Sequence, residues 1–273
     1  MKHFILSLIV LMGTLFPSCQ NTNPPSQPKG VAKTFQNKAH ELVNKMVQKV
    51  GSYEALSKKK DVVYTYTYQT PDGKMDVSTE KYIFDGELSL GVYQKHERTM
   101  PQLDGVIEQG YNGKEFWLKH KGEYLKDNEL LKKVTFNRKT NFYWFAMFQK
   151  LLDPGLNYEY IKEETIDNNI YDVVKVGFKS NNGKPTDVYQ LYINQKNSLV
   201  DQFLFTVVDF NVVENPMLMK MEYEEIDGLL IPSKRKYKKS TWNADVDEKP
   251  WIVVTWSDIK FDNNLMKSEF DKK

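Results

Sequence analysis

Residues 141–152 have the sequence NFYWFAMFQKLL, and the helix-breaking residues Asp153, Pro154 and Gly155 follow directly. The length of the stretch and its stop signal predict a helix. Residues 142–148 are all apolar or aromatic, so this helix has no polar face to turn toward solvent. It must therefore be covered on several sides. Either it plugs the open side of a curved sheet, or it lines a cavity whose other wall is the sheet.

The sequence on both sides of this helix is typical of antiparallel strands. Runs of β-branched and aromatic residues alternate with Asp-Gly or Asn-Gly pairs, which tolerate the positive φ that tight hairpin turns require. A short helix at 129–134 is predicted just before the aromatic one. About a dozen strands are too many for a flat open sheet, which tends to curl or close. The predicted strands are 62–69, 74–84, 87–97, 106–111, 114–119, 157–164, 170–179, 187–193, 199–208, 217–226, 229–239 and 252–261.

The first helix of the folded region is predicted between Phe35 and Val50, where apolar residues recur every three or four positions and Gly51 follows. The predicted fold class is thus mainly β (α+β). We expect a curved antiparallel half-barrel with an N-terminal helix and a central helical cover. No second linker divides the strand series, so residues 31–273 are predicted to form a single domain.

The N-terminus has the pattern of a targeting segment. Lys2 precedes an apolar run at 4–16 that is too short to span a bilayer permanently. This run ends just before Cys19, the only cysteine in the chain. The segment resembles a bacterial lipoprotein signal, although Phe16 and Pro17 depart from the usual pattern. The resemblance implies a signal peptide at 1–18, acylation of Cys19 and a lipidated tether at 19–30. Conventional secretory cleavage and a buried N-terminal helix are the alternatives.

Composition excludes several classes of protein. Lys and Arg number 38 against 36 for Asp and Glu, and this balance gives no field that would attract nucleic acid. One cysteine and four histidines favour neither a disulfide framework nor a metal centre. The nucleotide-binding, nucleophile-elbow and zinc-protease motifs do not occur. His96 and Glu97 are adjacent on a predicted strand and would point to opposite faces. We therefore predict no catalytic residue, no metal and no cofactor.

A basic run at 234–239 (KRKYKK) lies on a predicted strand. One interpretation is contact with phospholipid headgroups or a polyanionic envelope polymer. The other, which we favour here, is an edge strand that lysines protect against pairing with other chains.

The candidate ligand-binding residues are apolar. Met217, Met219 and Met221 alternate with other side chains, so they share one face of a strand, and thioethers adapt to varied partners. Together with aromatic residues they are predicted to line a pocket for acyl chains. The alternative is that all of them are simply core. The aromatic candidates are Trp117, Phe142, Trp144, Phe145, Phe148, Phe203 and Phe205.

This order of elements resembles the lipoprotein-localisation-factor fold, the half-barrel of periplasmic lipoprotein carriers. Within that fold the chain looks similar to an uncharacterised group of Gram-negative envelope lipoproteins. The stretches that carry the resemblance are structural turns and strands, which indicate fold more safely than function. They are YNGK at 111–114 with Phe116 and Trp117, residues 141–155, YQLYI at 189–193, DGLLIP at 227–232, and IKFD at 259–262 with Phe270.

The resemblance implies an apolar concave face that holds a lipid or the acyl chains of a lipoprotein under a helical lid. Acylated Cys19 would make the protein a fixed, monomeric module on a membrane rather than a shuttle. The outer membrane with the domain facing the periplasm is favoured. The alternative is a structural or protein-binding envelope lipoprotein with a filled core. An enzyme is the least favoured class, because it needs a polar cleft with convergent titratable groups.

Overall fold

The computed structural model describes residues 34–180, 183 and 186–272. The predicted signal peptide at 1–18, the tether at 19–30 and Cys19 lie outside the described residues. From Phe35 onward the chain forms one compact unit. The helices of the described part are α1 (Lys38–Val50), α2 (Tyr53–Ser57) and α3 (Asn128–Lys150). Its strands are β1 (Asp61–Gln69), β2 (Met75–Ile83), β3 (Leu88–His96), β4 (Ile107–Tyr111), β5 (Phe116–His120), β6 (Glu123–Tyr124), β7 (Leu156–Ile166), β8 (Asn169–Phe178), β9 (Val188–Asn194), β10 (Val200–Val207), β11 (Val212–Ile226), β12 (Leu229–Lys239) and β13 (Ile252–Phe261).

All of these strands belong to one antiparallel sheet that is not closed. Its order is β6-β5-β4-β3-β2-β1-β13-β12-β11-β10-β9-β8-β7. The chain builds outward from β1 to one edge at β6, and α3 then carries it to the opposite edge at β7. The remaining strands return to the centre, where β13 pairs with β1. With 23 residues, α3 is about 35 Å long, enough to connect the two edges across one face.

The predicted fold class is confirmed, since the sheet is open and antiparallel and has a helix before it and another in the middle. The two central helices predicted at 129–134 and 141–152 are wrong in one respect, because α3 is continuous. No Gly or Pro interrupts residues 128–150, and the polar stretch between the two predictions includes the buried Arg138. Because Arg138 forms a buried ion pair with Glu80, this polar stretch can remain helical. Two short elements, α2 and β6, were not predicted.

The two faces of the sheet carry different side chains, as the alternation on β11 predicted. Met219 packs with Phe203 on the concave face, whereas Leu218 packs with Tyr192 and Leu204 on the convex face. Residues of α1 and α3 cover the concave side: Val43 and Met46 from α1 join Met147 and Phe148 from α3 in one cluster. The concave face is therefore the side on which a site between helix and sheet can form.

The interpretation of the basic run as a protected edge strand is wrong. β12 lies between β11 and β13 near the middle of the sheet. Lys236 and Lys238 stand over Trp251, with Nζ 5.3 and 4.9 Å from the ring centroid. Arg235 points to the other face and is buried. The run thus divides its charges between two faces of an interior strand.

Candidate functional site

A cavity of about 360 Å³ lies between α3 and the concave face of the sheet. Helical residues Asn137, Asn141 and Trp144 form one wall, as their spacing of four and three residues places them on one side of the helix. The opposite wall comes from β1, β10, β11, β12 and β13. Phe210, which is 61% exposed, lines the cavity as well, so the cavity reaches the surface at this point.

Four of the predicted ligand-binding residues line this cavity: Trp144, Phe205, Met217 and Met219. The ring of Trp144 lies edge-on to that of Phe205, with centroids 5.2 Å apart. Phe205 pairs with Met217 across the β10–β11 ladder, so the three side chains form a continuous apolar wall. The structure therefore brings Trp144 of the helix together with strand residues that lie 61 or more positions later in the sequence.

The other predicted residues lie elsewhere. Phe145 and Phe148 are buried in packed clusters, and Phe203 packs behind Phe205 with ring centroids 5.4 Å apart. Met221 packs at the edge of the same cluster. Phe142 is buried against β2 and borders a second cavity. Trp117 belongs to a separate cluster, in which its indole nitrogen donates to the carbonyl oxygen of Phe270 at 2.8 Å.

A row of tyrosines on β1 was not predicted from the sequence. Tyr64, Tyr66 and Tyr68 alternate along the strand and all face the cavity, as does Tyr237 of β12. The hydroxyl of Tyr64 hydrogen-bonds that of Tyr82, and the hydroxyls of Tyr68 and Tyr237 hydrogen-bond each other. The period-two spacing of the tyrosines in VVYTYTYQ was the available signal. These hydroxyls make the wall amphipathic rather than uniformly apolar.

A buried ion pair borders the tyrosine row. Arg138 of α3 donates to both carboxylate oxygens of Glu80, at 2.8 and 3.1 Å, and both side chains are fully buried. Glu80 also accepts from Ser78 at 2.7 Å and from Tyr82 at 3.0 Å. Burial, and then the Glu80 carboxylate, favour the un-ionised hydroxyl of Tyr82 and hold its pKa well above the usual range. This network fixes α3 against the sheet.

Two further arginines line the cavity and differ in their surroundings. Arg98 pairs with the buried Asp76 at 3.0 Å and stacks over Tyr68. Arg235 is 6% exposed, and its guanidinium lies over the Trp256 ring at 3.7 Å. Burial lowers the pKa of Arg235 to about 10, so the group remains charged at neutral pH. No signal in the basic run distinguished Arg235 from the lysines around it.

A second, more open cavity of about 640 Å³ shares Phe136, Thr140 and Trp144 with the first. Its other lining residues include Tyr143, Lys150 and Asp187, and its lining is more polar than that of the first cavity. Asp187 accepts a hydrogen bond from the backbone N–H of Val208 at 2.8 Å, and burial raises its pKa. We take the smaller cavity as the candidate site, since it is more enclosed and is lined by four of the predicted residues, whereas the larger cavity is lined by two.

His96 and Glu97 do not share a site, as predicted. The ring nitrogens of His96 lie 3.0 and 2.8 Å from the carbonyl oxygens of Met100 and Gly105. Glu97 instead accepts from the backbone N–H of Met75. Among the described residues, no three His, Cys, Asp or Glu side chains come together as a metal ion would require. None of the helices in that part of the chain combines the length and apolarity needed to cross a membrane.

Comparison with known proteins agrees with this architecture. The model of a family of unknown function, DUF6503, matches residues 110–216. No curated protein sequence matches the chain significantly. A DUF1329 family protein from Desulfovibrio piger is 16% identical, with 85% of this chain and 95% of that chain covered and a TM-score of 0.50. This likeness concerns the fold alone.

Two other solved structures are more distant in shape. A LolA superfamily protein from Nitrosomonas europaea is 13% identical over 84% of this chain and 97% of that chain, with a TM-score of 0.48. The lipoprotein LppX from Mycobacterium tuberculosis is 10% identical over 85% and 98%, with a TM-score of 0.31. The topology of this chain is the open half-barrel that the resemblance implied.

Proposed function

We propose that this protein is a non-catalytic cell-envelope module that binds an acyl chain between α3 and the concave face of its sheet. The observation that carries the proposal is the cavity of about 360 Å³ between α3 and the sheet. Sites for small molecules have volumes of roughly 300 to 1,000 Å³ and mostly apolar walls with a few placed polar groups. The ligand is a lipid or the acyl chain of a lipoprotein.

The composition of the wall supports an acyl ligand. Phe205, Met217, Met219 and Val254 supply a continuous apolar surface, and methionine side chains adapt to chains of different shape. The aromatic helix does not fill the concave face completely. Phe145 packs into the sheet, whereas Trp144, one residue earlier, turns toward open volume.

The proposal includes attachment to a membrane through acylated Cys19, with the outer membrane and a periplasm-facing domain favoured. Several buried acyl carbons hold a protein on a bilayer without any spanning helix. A fixed anchor suits a monomeric acceptor or binding module better than a soluble carrier.

The competing function is a structural or protein-binding lipoprotein whose cavity stays empty of lipid. Organic extraction of the purified protein, followed by mass spectrometry, distinguishes the two. We expect lipid at a stoichiometry approaching one per protein, and titration of delipidated protein with 11-(dansylamino)undecanoic acid should give saturable fluorescence. Absence of both co-purified lipid and saturable binding would favour the structural role.

A further inference from the structure

Arg235 is a buried cation that has no carboxylate partner. The other buried arginine and lysine of the described residues each have one: Arg138 pairs with Glu80 at 2.8 Å and Lys238 with Asp247 at 3.7 Å. The Nε of Arg235 is buried without a hydrogen-bond acceptor, and the guanidinium stacks on the Trp256 ring. A buried charge without a partner is costly, so its presence needs an explanation.

The carboxylates on the concave side cannot reach Arg235. Asp76, Tyr68, Val254 and Arg235 occupy one row across β2, β1, β13 and β12. Three strand spacings separate Asp76 from Arg235, which is about 14 Å. Asp76 is already bound by Arg98, and the more distant Glu80 by Arg138. This part of the concave face therefore holds three arginines and two carboxylates, a surplus of one positive charge.

A second polar group beside Arg235 is also without a hydrogen-bond partner in the described part of the chain. Tyr66 is 8% exposed and lines the cavity, and it pairs across the strands with Trp256, on which Arg235 stacks. The neighbouring Tyr64 and Tyr68 both have hydroxyl partners, whereas the Tyr66 hydroxyl has none. Tyr66 and Arg235 thus line the same cavity.

We infer that Arg235 and Tyr66 bind the headgroup of a single-chain amphiphile, and that this headgroup is a singly charged oxyanion. A guanidinium matches the two oxygens of a carboxylate or phosphodiester in a bidentate arrangement. One negative charge balances the surplus of one positive charge. The apolar wall of Phe205, Met217 and Met219 then receives the chain. This inference rests on the proposed function and specifies the class of ligand.

Stacking on Trp256 is the competing explanation for Arg235, because a cation over an aromatic face is stabilised without any ligand. The two explanations differ in what the cavity prefers. If Arg235 only stacks, the cavity has no reason to prefer an acid over an alcohol of equal chain length. If it binds a headgroup, the acid is preferred because a hydrogen bond to a charged group is worth about tenfold or more in affinity.

The test uses delipidated protein and displacement of bound Nile red, a neutral apolar dye. Decanoate and decanol are compared as competitors, and lysophosphatidylglycerol replaces decanoate in a third arm to distinguish a phosphodiester from a carboxylate. We expect wild type to prefer decanoate or lysophosphatidylglycerol over decanol by about tenfold or more. In Arg235→Leu the affinity for the anion should fall to the affinity for decanol, and the affinity for decanol should not change.

Lys236→Leu is the matched control, because it removes the same charge from the next residue of β12 on the exposed face. It should keep the preference of wild type. Tyr66→Phe should reduce the preference in part. Should Arg235→Leu fail to fold, Tyr66→Phe and the wild-type comparison still test the inference without any change at Arg235.

The outcomes separate the two proposals. Equal binding of decanoate, lysophosphatidylglycerol and decanol by wild type, or a preference that survives Arg235→Leu, overturns the headgroup site and leaves the acyl cavity intact. Failure of all three to displace the dye from wild type, together with no heat of binding by calorimetry, overturns the proposed function as well.

Discussion

Arg138 and Glu80 show how a single buried contact positions α3. Gly91 of β3 lies directly opposite Glu80 in the ladder, and a Cβ there would approach the Arg138 guanidinium to 2.6 Å. Glycine therefore leaves the room that the guanidinium occupies. Tyr93 accepts a further hydrogen bond from Arg138 at 2.9 Å, and this contact limits any movement of the arginine. Glu80 of β2 and Gly91 and Tyr93 of β3 thus define where the helix crosses the sheet.

Glu80→Gln tests this account. Removal of one partner leaves the Arg138 charge buried and uncompensated, so we expect a loss of about 3 to 5 kcal/mol in the free energy of unfolding. Urea denaturation followed by tryptophan fluorescence measures it. Glu54→Gln, which removes the carboxylate of the exposed Glu54–Lys58 pair, is the control and should leave the midpoint unchanged. Equal midpoints for the two variants would show that the buried pair does not hold the helix.

Some residues of the site were predictable from sequence and others were not. Met217 and Met219 follow from strand alternation, and Trp144 follows from the absence of a polar helix face. Arg235 and Glu80 were not predicted as site residues, because each has charged neighbours in the sequence. Whether such a residue is buried depends on which strands lie in the interior of the sheet. Trp117 was predicted to line the cavity because it is aromatic. Its indole nitrogen instead donates to the carbonyl oxygen of Phe270, in a separate cluster.

Helix α3 has two roles along its length. Phe142, Phe145 and Ala146 pack against residues of β1, β2 and β13. The centroid of the Phe145 ring lies 5.1 Å from that of Tyr64. Asn137, Asn141 and Trp144 leave open volume on another side of the same helix. The two interpretations of residues 141–152, a plug and a cavity wall, therefore apply to different faces of one element.

Trp144→Ala and Phe145→Ala distinguish these faces. Phe145 is 2% exposed in a packed cluster, and its truncation should cost about 3 to 5 kcal/mol. Trp144 is half-buried and borders the cavity, so its loss should cost less despite the larger ring. Chemical denaturation of both variants measures the difference. Equal losses would mean that no open volume lies beside Trp144.

The topology of the whole domain joins early and late parts of the chain. Turn dipeptides predicted the strand order within each half, since hairpins pair neighbours. They did not predict that β13 returns to β1, a pairing between residues almost 200 positions apart. Asp61 strengthens the link between these two parts of the chain, because its carboxylate accepts hydrogen bonds from the backbone N–H groups of Asn263 and Leu265 at 2.8 and 3.0 Å. Long-range pairing depends on the complete sheet and leaves no local pattern.

The proposed anchor makes a prediction about the intact protein. Cys19→Ser should move the protein from the membrane fraction to the soluble fraction of expressing cells, because acylation requires the thiol. Ultracentrifugation with immunoblotting measures the distribution. The melting temperature of the released domain should match that of wild type, since the clusters that form the core of the described residues do not include Cys19. Sedimentation of the variant with membranes would contradict the lipoprotein assignment.

Comparison of Met219→Trp with Leu218→Trp tests the acyl cavity most directly. These neighbours on β11 are both buried, but Met219 faces the cavity and Leu218 faces a filled convex cluster. Overpacking a filled cluster costs about 1 to 3 kcal/mol or more. We predict that Met219→Trp abolishes binding of 11-(dansylamino)undecanoic acid at a near-normal melting temperature, while Leu218→Trp melts lower and still binds. Equal drops in melting temperature, with no probe bound by wild type, would contradict the cavity.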